Sequence, residues 1–368
     1  MSLLALATRY NWKGLEDFCK QVFQKAGVPE QSAAIVAESL VQADLRGVDS
    51  HGVVRTAIYL KRMEAGMIDA FADVEKVSES DATVLVDGKN NFGSVIGTKA
   101  LDIALEKAKR NGASFVGVKG SNHFGTGAYY AMKAIEQDMI LLVMSNASQT
   151  MPPTGGVRPF IGTNPLAVGV PSGKELPFIL DMATSVVARG KIIVSAQKGE
   201  SIPLGWAIDK DGNPTTDAHA ALEGSVLPMG GPKGYAISMF IDILAGVLTG
   251  AGFGKYVNNM YENWEQPQNV GHLFIAVDIN RFIPVDLFKA RMDQYIREIK
   301  QEPKAPGVDE ILIPGELEYR RTLERKENGI ELPIKVVEEL AGIGQSYGID
   351  LAKAAYEHAK NEGAKSWN

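Results

Sequence analysis

The chain has 368 residues, 38 basic and 44 acidic side chains, a net charge of −6 and 45% hydrophobic residues. That is the composition of a globular protein of roughly two domains, and it excludes the concentrated basic face that nucleic acid or anionic lipid requires. The single cysteine, Cys19, excludes an intrachain disulfide and a cysteine-built zinc site.

Leu15, Phe18, Cys19, Val22 and Phe23 recur at helical spacing and predict an amphipathic helix stopped by Gly27-Val28-Pro29. Cys19 falls in that apolar stripe and reads as a small core residue rather than a reactive thiol. A second helix is predicted over 29–46 with Gly47 past its end, and a third from Ser50 to about 65 with Gly66 as its stop. The texture then changes. Thr83-Val84-Leu85-Val86 reads as a strand followed by a turn-rich segment, then come a helix at about 93–110, a strand at 114–118, a helix at about 127–138 and a strand at 140–144. This alternation predicts a mixed α/β domain. Pro152, Pro153, Pro159, Pro165 and Pro171 punctuate a loop-and-strand region that leads to the strand Phe178-Ile179-Leu180. Ile237, Phe240, Ile241, Leu244, Ala245 and Leu248 form the apolar stripe of a helix over 234–249, and 273–277 reads as a strand. Charged helices are predicted over 286–300, 318–327, 333–341 and 348–361.

No familiar cofactor motif is present. Gly125-Thr126-Gly127 lacks the third glycine of the dinucleotide fingerprint, and Lys233 in Gly230-Gly231-Pro232-Lys233 is followed by neither Ser nor Thr. The five histidines are scattered, so no metal site is expected. No run reaches the ~18 apolar residues of a membrane span. The apolar start is shorter than the ~7–15-residue core of a secretory leader. A cytoplasmic place is therefore expected.

Six segments carry chemistry in their residue types. In Ser50-His51-Gly52-Val53-Val54-Arg55, Ser50 is a candidate helix N-cap, and His51 and Arg55 would share a face of the helix it starts. Histidine can take a proton from a hydroxyl near neutral pH, and arginine grips a carboxylate with two parallel bonds. Gly120-Ser121-Asn122-His123-Phe124-Gly125-Thr126-Gly127 lies between a strand and a helix, whose first amides favour anions such as a pyrophosphate. Gly162-Thr163-Asn164-Pro165-Leu166 sets polar groups in a proline-rich loop. In Leu180-Asp181-Met182-Ala183-Thr184-Ser185 an acid ends a strand, where it could bond ribose hydroxyls or cap a helix. Lys233 opens the long apolar helix against its dipole, a small cost that an anionic ligand would offset. Ile313-Pro314-Gly315-Glu316 is a turn before a helix.

In this order the segments resemble the malate/L-lactate dehydrogenase family that lacks a Rossmann fold, over residues 12 to 330. That family also includes sulfolactate and ureidoglycolate dehydrogenases, diketogulonate reductase and a cyclic imine reductase. The resemblance implies NAD or NADP as cofactor and a homodimer or larger homo-oligomer with sites near the subunit interface. It implies an α/β, mixed α+β fold: a non-Rossmann NAD(P)-binding mixed-sheet domain at 81–284 and a helical domain built from both termini, 1–80 and 285–368. Residue by residue, His51 matches the proton donor and acceptor and Ser50 its relay neighbour. Arg55 and Thr163 match substrate-binding positions. His123 matches a histidine at cofactor and substrate that serves as the base in the ureidoglycolate branch. Asp181, Met182, Ala183, Lys233, Gly315 and Glu316 match cofactor-contacting segments. Lys191 stands where the imine reductase looks to carry an acid, which disfavours that branch because a lysine does not stabilise a charged imidazole.

The expected reaction moves a hydride between NAD(P) and a small 2-hydroxy acid, malate or L-lactate first and ureidoglycolate as the alternative. A non-catalytic nucleotide-binding scaffold is the competing reading from another class.

Overall fold

The computed structural model describes residues 9–356. The elements that frame the site, in chain order, are α1 Trp12–Lys25, α2 Glu30–Leu45, α3 Thr56–Glu64, β1 Glu75–Glu79, β2 Thr83–Asp87, α4 Gly93–Asn111, β3 Ala113–Ser121, α5 Gly127–Ile135, β4 Met139–Ser145, β5 Leu166–Val170, β6 Phe178–Met182, α6 Arg189–Lys198, α7 Ala218–Glu223, α8 Pro232–Asp242, β7 Val270–Asp278, α9 Val285–Gln301, α10 Glu316–Asn328 and α11 Ile334–Tyr347. Contacts divide the chain into two units, one of residues up to Lys61 with those from Leu317 onward, the other Arg62–Glu316.

The first unit is helical and joins the two ends of the chain. Arg9–Tyr10 pairs antiparallel with Ile330–Glu331, which ties the start of the chain to its C-terminal part. α1 buries its predicted stripe, Leu15, Phe18, Cys19, Val22 and Phe23. Each such side chain contributes roughly 1.5–3 kcal/mol of burial. α11 reaches the same core where Gly344 leaves room for the Phe18 ring; a Cβ there would stand 2.8 Å from it. Burial pushes the Cys19 thiol up to about 12, and the Thr56 hydroxyl stands 3.9 Å from its sulfur. Cys19 is therefore an inert core residue. Of the helix expected over 348–361, the described part is a short 3-10 turn, Leu351–Ala354, and residues 357–361 lie outside the described residues.

The second unit is built on a seven-stranded mixed sheet in the order β1-β2-β3-β7-β4-β5-β6. Only β2 and β3 run parallel, joined by the α4 crossover. All other neighbours are antiparallel. This is a mixed α/β fold and not the parallel doubly wound sheet of a Rossmann domain. One face is covered by α4 and α5, and the core between them holds Val84, Val86, Ile96, Leu101, Val116, Val118, Tyr130, Leu141, Val143 and Phe274. A satellite core of Val187, Ile192, Ala196, Ile202, Ala218 and Val226 sits under α6 and α7.

This unit reaches beyond the 81–284 span expected from sequence. β1 pairs with β2 although all five of its residues are exposed, so it shows no apolar alternation to read. α9 is charged like the C-terminal helices, yet its Asp293 accepts the amides of Gly173, Lys174 and Glu175 at 2.8–3.1 Å and docks it on the β5–β6 connection. The predicted stripe of α8 also splits. Ile241 and Ala245 are buried, while Phe240 and Leu248 are 56% and 65% exposed. The helix widens into a π-turn at Ile243–Val247, which rotates the later residues off the 3.6-residue period.

Candidate functional site

In the helical unit, α2 ends in a Schellman motif: Gly47 adopts φ +77°, and the amides of Gly47 and Val48 reach back to Asp44 O and Ala43 O. The chain then makes two successive 3-10 turns, Asp49–His51 and Val53–Arg55. The continuous helix expected from Ser50 onward is not formed before Thr56. The break is at Gly52, whose ψ is −154°. The buried Asp44 carboxylate packs directly against Gly52, where an added Cβ would stand 1.8 Å from Oδ1, and it accepts the Val53 amide at 2.8 Å. Two expectations give way as a result. Ser50 caps neither turn, and His51 and Arg55 do not share a helical face. Ser50 Oγ instead lies 2.9 Å from His51 Nδ1, and Arg55 Nε donates to Ser50 O at 2.7 Å. The pairing of imidazole and guanidinium survives by a different geometry.

Electrostatics follow from this packing. Burial first, and the Arg55 cation second, lower the His51 imidazole to about 4, so at neutral pH it is an uncharged base. Burial also lowers Arg55 from its ordinary value. Burial pushes the Tyr59 phenol up to about 12 and Asp44 up to about 8. Sequence reasoning passed over Asp44; the signal available was an acid eight residues before the glycine of Ser-His-Gly.

In the sheet unit, the other five segments are hydrogen-bonded into one cluster. The Thr184 amide donates to Thr163 O and the Met229 amide to Thr184 O, both at 2.9 Å. Ser238 of α8 donates its hydroxyl to Gly162 O, and its backbone carbonyl accepts from Asn164 Nδ2, both at 2.9 Å. The Ile179 amide donates to Pro314 O at 3.0 Å, which brings in Gly315. Asp181 Oδ2 accepts the Ala128 amide in the first turn of α5 at 2.9 Å. The Thr163, Asp181-Met182-Ala183, Lys233, Gly315 and His123 segments thus share one region of this unit, while Ser50, His51 and Arg55 belong to the other.

His123 is half-buried, and its amide is fixed by Gln268 Oε1 at 2.9 Å. Beneath the loop, His272 of β7 bonds the Ser145 and Ser121 hydroxyls at 2.9 and 2.7 Å, and Phe124 stacks on its ring at 4.4 Å. A neutral imidazole has one donor and one acceptor nitrogen, which two hydroxyls satisfy, and burial holds His272 down to about 3. Asp181 caps α5 rather than the next helix, so a side-chain carboxylate already occupies an amide of that N-terminus. The buried Glu316 carboxylate is paired with Lys300 Nζ at 2.8 Å. Lys233 is exposed in the first turn of α8, after Gly230 and Gly231 with φ +57° and +61°. Lys191 is exposed in the first turn of α6.

The profile of the malate/L-lactate dehydrogenase family matches residues 10–341. The chain belongs to that family. Malate/L-lactate dehydrogenase relatives include an L-sulfolactate dehydrogenase of Methanothermobacter thermautotrophicus, 42% identical over 90% of this chain and 95% of that one. A malate dehydrogenase of Pyrococcus horikoshii is 41% identical over 91% and 94%. A ureidoglycolate dehydrogenase (NAD(+)) of Escherichia coli is 34% identical over 84% and 88%. A (2R)-3-sulfolactate dehydrogenase (NADP(+)) of Chromohalobacter salexigens is 32% identical over 88% and 95%. Among solved structures, the sulfolactate dehydrogenase of Methanocaldococcus jannaschii superposes with a TM-score of 0.89 at 39% identity, over 95% of this chain and all of that one. The relatives named here are hydroxy-acid dehydrogenases, in agreement with the enzyme class read from sequence.

Proposed function

We propose that this chain is an NAD- or NADP-dependent dehydrogenase of small 2-hydroxy acids, with malate and sulfolactate ahead of L-lactate and ureidoglycolate. The observation that carries the reading is the Ser50–His51–Arg55 arrangement, an imidazole bonded to a hydroxyl with a guanidinium beside it. The order of substrates follows the relatives: the L-sulfolactate and malate dehydrogenases are 42% and 41% identical, the ureidoglycolate dehydrogenase 34% and the (2R)-3-sulfolactate dehydrogenase 32%. Malate and sulfolactate share a 2-hydroxy carboxylate with a second anionic group on C3.

The chain's part is proton handling and orientation. Arg55 holds the substrate carboxylate. In the tautomer this role requires, His51 Nδ1–H donates to Ser50 Oγ, the basic lone pair is on Nε2, and that nitrogen takes the C2 hydroxyl proton during oxidation. Bound NAD or NADP supplies the hydride acceptor at nicotinamide C4. The cofactor fits the sheet-unit cluster. Asn122 Oδ1, Thr126 Oγ1 and Thr184 Oγ1 are buried there and meet no hydrogen-bond partner among the described residues, and Gly125, Gly230 and Gly231 leave their Cβ positions empty. Thr163, His123, Met182, Ala183, Lys233, Gly315 and Glu316 are its proposed surroundings, with Asp181 capping α5 beside them. A cytoplasmic place and a homodimer complete the proposal. No helix among the described residues is long and apolar enough to cross a membrane.

The test follows NADH and NADPH oxidation with oxaloacetate, a sulfonated 2-oxo acid and pyruvate, and NAD+ and NADP+ reduction with ureidoglycolate. The expected result is the highest kcat/KM with one of the two dianionic oxo acids. Cofactor binding without turnover of any of these acids would instead revive the scaffold reading.

A further inference from the structure

The two turns that carry Ser50, His51 and Arg55 have few hydrogen bonds of their own: two backbone bonds close each, His51 N to Val48 O and Gly52 N to Asp49 O in the first, Arg55 N to Gly52 O and Thr56 N to Val53 O in the second. Short 3-10 turns are weak structures, so their position comes from what they rest on. On one side rests Asp44, 1% exposed, whose carboxylate takes the Val53 amide and fills the space beside Gly52. From the far end of the chain, Arg325 of α10 reaches the first turn. Its guanidinium bonds the Asp44 carbonyl and the Asp49 carboxylate, with Nη2 to Asp49 Oδ2 at 3.3 Å. A planar guanidinium between a carboxylate and a carbonyl fixes orientation as well as distance. The charged and titratable groups about the turns within this unit include Asp44, Asp49, Arg55, Tyr59, Arg321, Glu324 and Arg325.

We propose that Arg325 and Asp49 form a clamp that positions His51, with Asp44 as the floor on which the Ser50–Arg55 turns rest. They are positioning residues, and none of them touches substrate in this account. The inference deepens the reading of His51 as proton carrier, and the chemistry it adds is a C-terminal control on that site: α10 holds the turn in the place where His51 is partly buried beside Arg55. Releasing the clamp lets the turn move outward, the imidazole gains further solvent, and its affinity for a proton rises toward the ordinary value of 6.5.

The experiment uses the full-length chain as Arg325→Gln, Arg325→Lys and Asp49→Asn. Two quantities are read: the His51 titration by NMR, its signals assigned by their loss in His51→Asn, and kcat and KM for the best oxo acid. Arg325→Gln is expected to raise the His51 pKa by about one unit or more and to lower kcat ~10- to 100-fold, with the KM for cofactor within twofold. Arg325→Lys, which keeps a cation, is expected to restore part of both. Asp49→Asn keeps the shape and weakens the pair, and serves if Arg325→Gln does not fold. A purely structural role would lower thermal stability and leave the His51 titration of the folded protein in place; that result overturns the clamp. A shifted titration with kcat unchanged would keep the clamp and remove His51 from the proton transfer.

Discussion

At the scale of single residues, the site depends on what surrounds His51. Two causes hold its imidazole low, burial and the Arg55 charge. A substrate carboxylate on Arg55 neutralises the second cause. The sign follows: with Arg55 paired, the protonated form of His51 is less disfavoured, so its pKa is higher in the substrate complex than in the free enzyme. Activity in the direction of hydroxy-acid oxidation requires neutral His51 and is lost as pH falls through that pKa. The acid limb of kcat, which reports the complex, is therefore expected at higher pH than the acid limb of kcat/KM, which reports the free enzyme. Coincident limbs would show that Arg55 does not bind the carboxylate next to His51. The pairing of His51 with Arg55 was legible in the sequence, but its geometry was not. Helical spacing assumes a helix, and the break at Gly52 comes from the Asp44 side chain eight residues earlier, a contact beyond the reach of helical periodicity.

At the scale of elements, the sheet unit gathers loops that are distant in sequence. The strands β5 and β6 bring the 162–166 and 180–185 segments side by side, and α8 bonds to the first of these through Ser238. Asp181 shows how a sequence reading divides. An acid ending a strand suits a ribose, yet its Oδ2 holds the Ala128 amide. Asp181→Ala is expected to cost about 1 kcal/mol in stability, as loss of a helix cap does, and to leave the cofactor Kd within about threefold, a change of under ~0.7 kcal/mol. Titration calorimetry or fluorescence with NADH checks it, and a Kd raised tenfold or more would return Asp181 to the ribose. Strong periodic elements such as α1, α4 and β4 were readable because their buried faces repeat in sequence. β1 was not, because an exposed edge strand has no buried face. α6 was missed for a related reason, with Ile192 and Ala196 its only buried residues.

At the scale of the whole molecule, a helical unit from both termini and a mixed-sheet unit match what the family resemblance implied, whereas composition alone gave only a two-domain globular chain. The C-terminal contribution to the first unit was readable as helices, but its reason, Arg9–Tyr10 pairing with Ile330–Glu331 and Arg325 clamping Asp49, lies in long-range contacts. One surface carries an expectation of its own. Phe240, Ile243, Val247 and Leu248 are exposed together on α8 and its π-turn. Soluble monomers rarely expose large contiguous apolar patches, and we infer that a second copy of the chain covers this face. Light scattering is expected to give a dimer or larger species for the native chain and a smaller one for a Phe240→Glu, Leu248→Glu variant. A native monomer would contradict the inference.

In the proposed reaction His51 carries the proton of a 2-hydroxy-acid dehydrogenase. The pH dependence of kcat/KM for hydroxy-acid oxidation, measured for the native chain, His51→Asn and His123→Asn, tests it most directly. His51→Asn is expected to lower turnover by about 10²–10⁴-fold and to abolish the acid limb, with cofactor affinity nearly kept, while His123→Asn retains the limb. Full turnover in His51→Asn, with the limb lost only in His123→Asn, would contradict it.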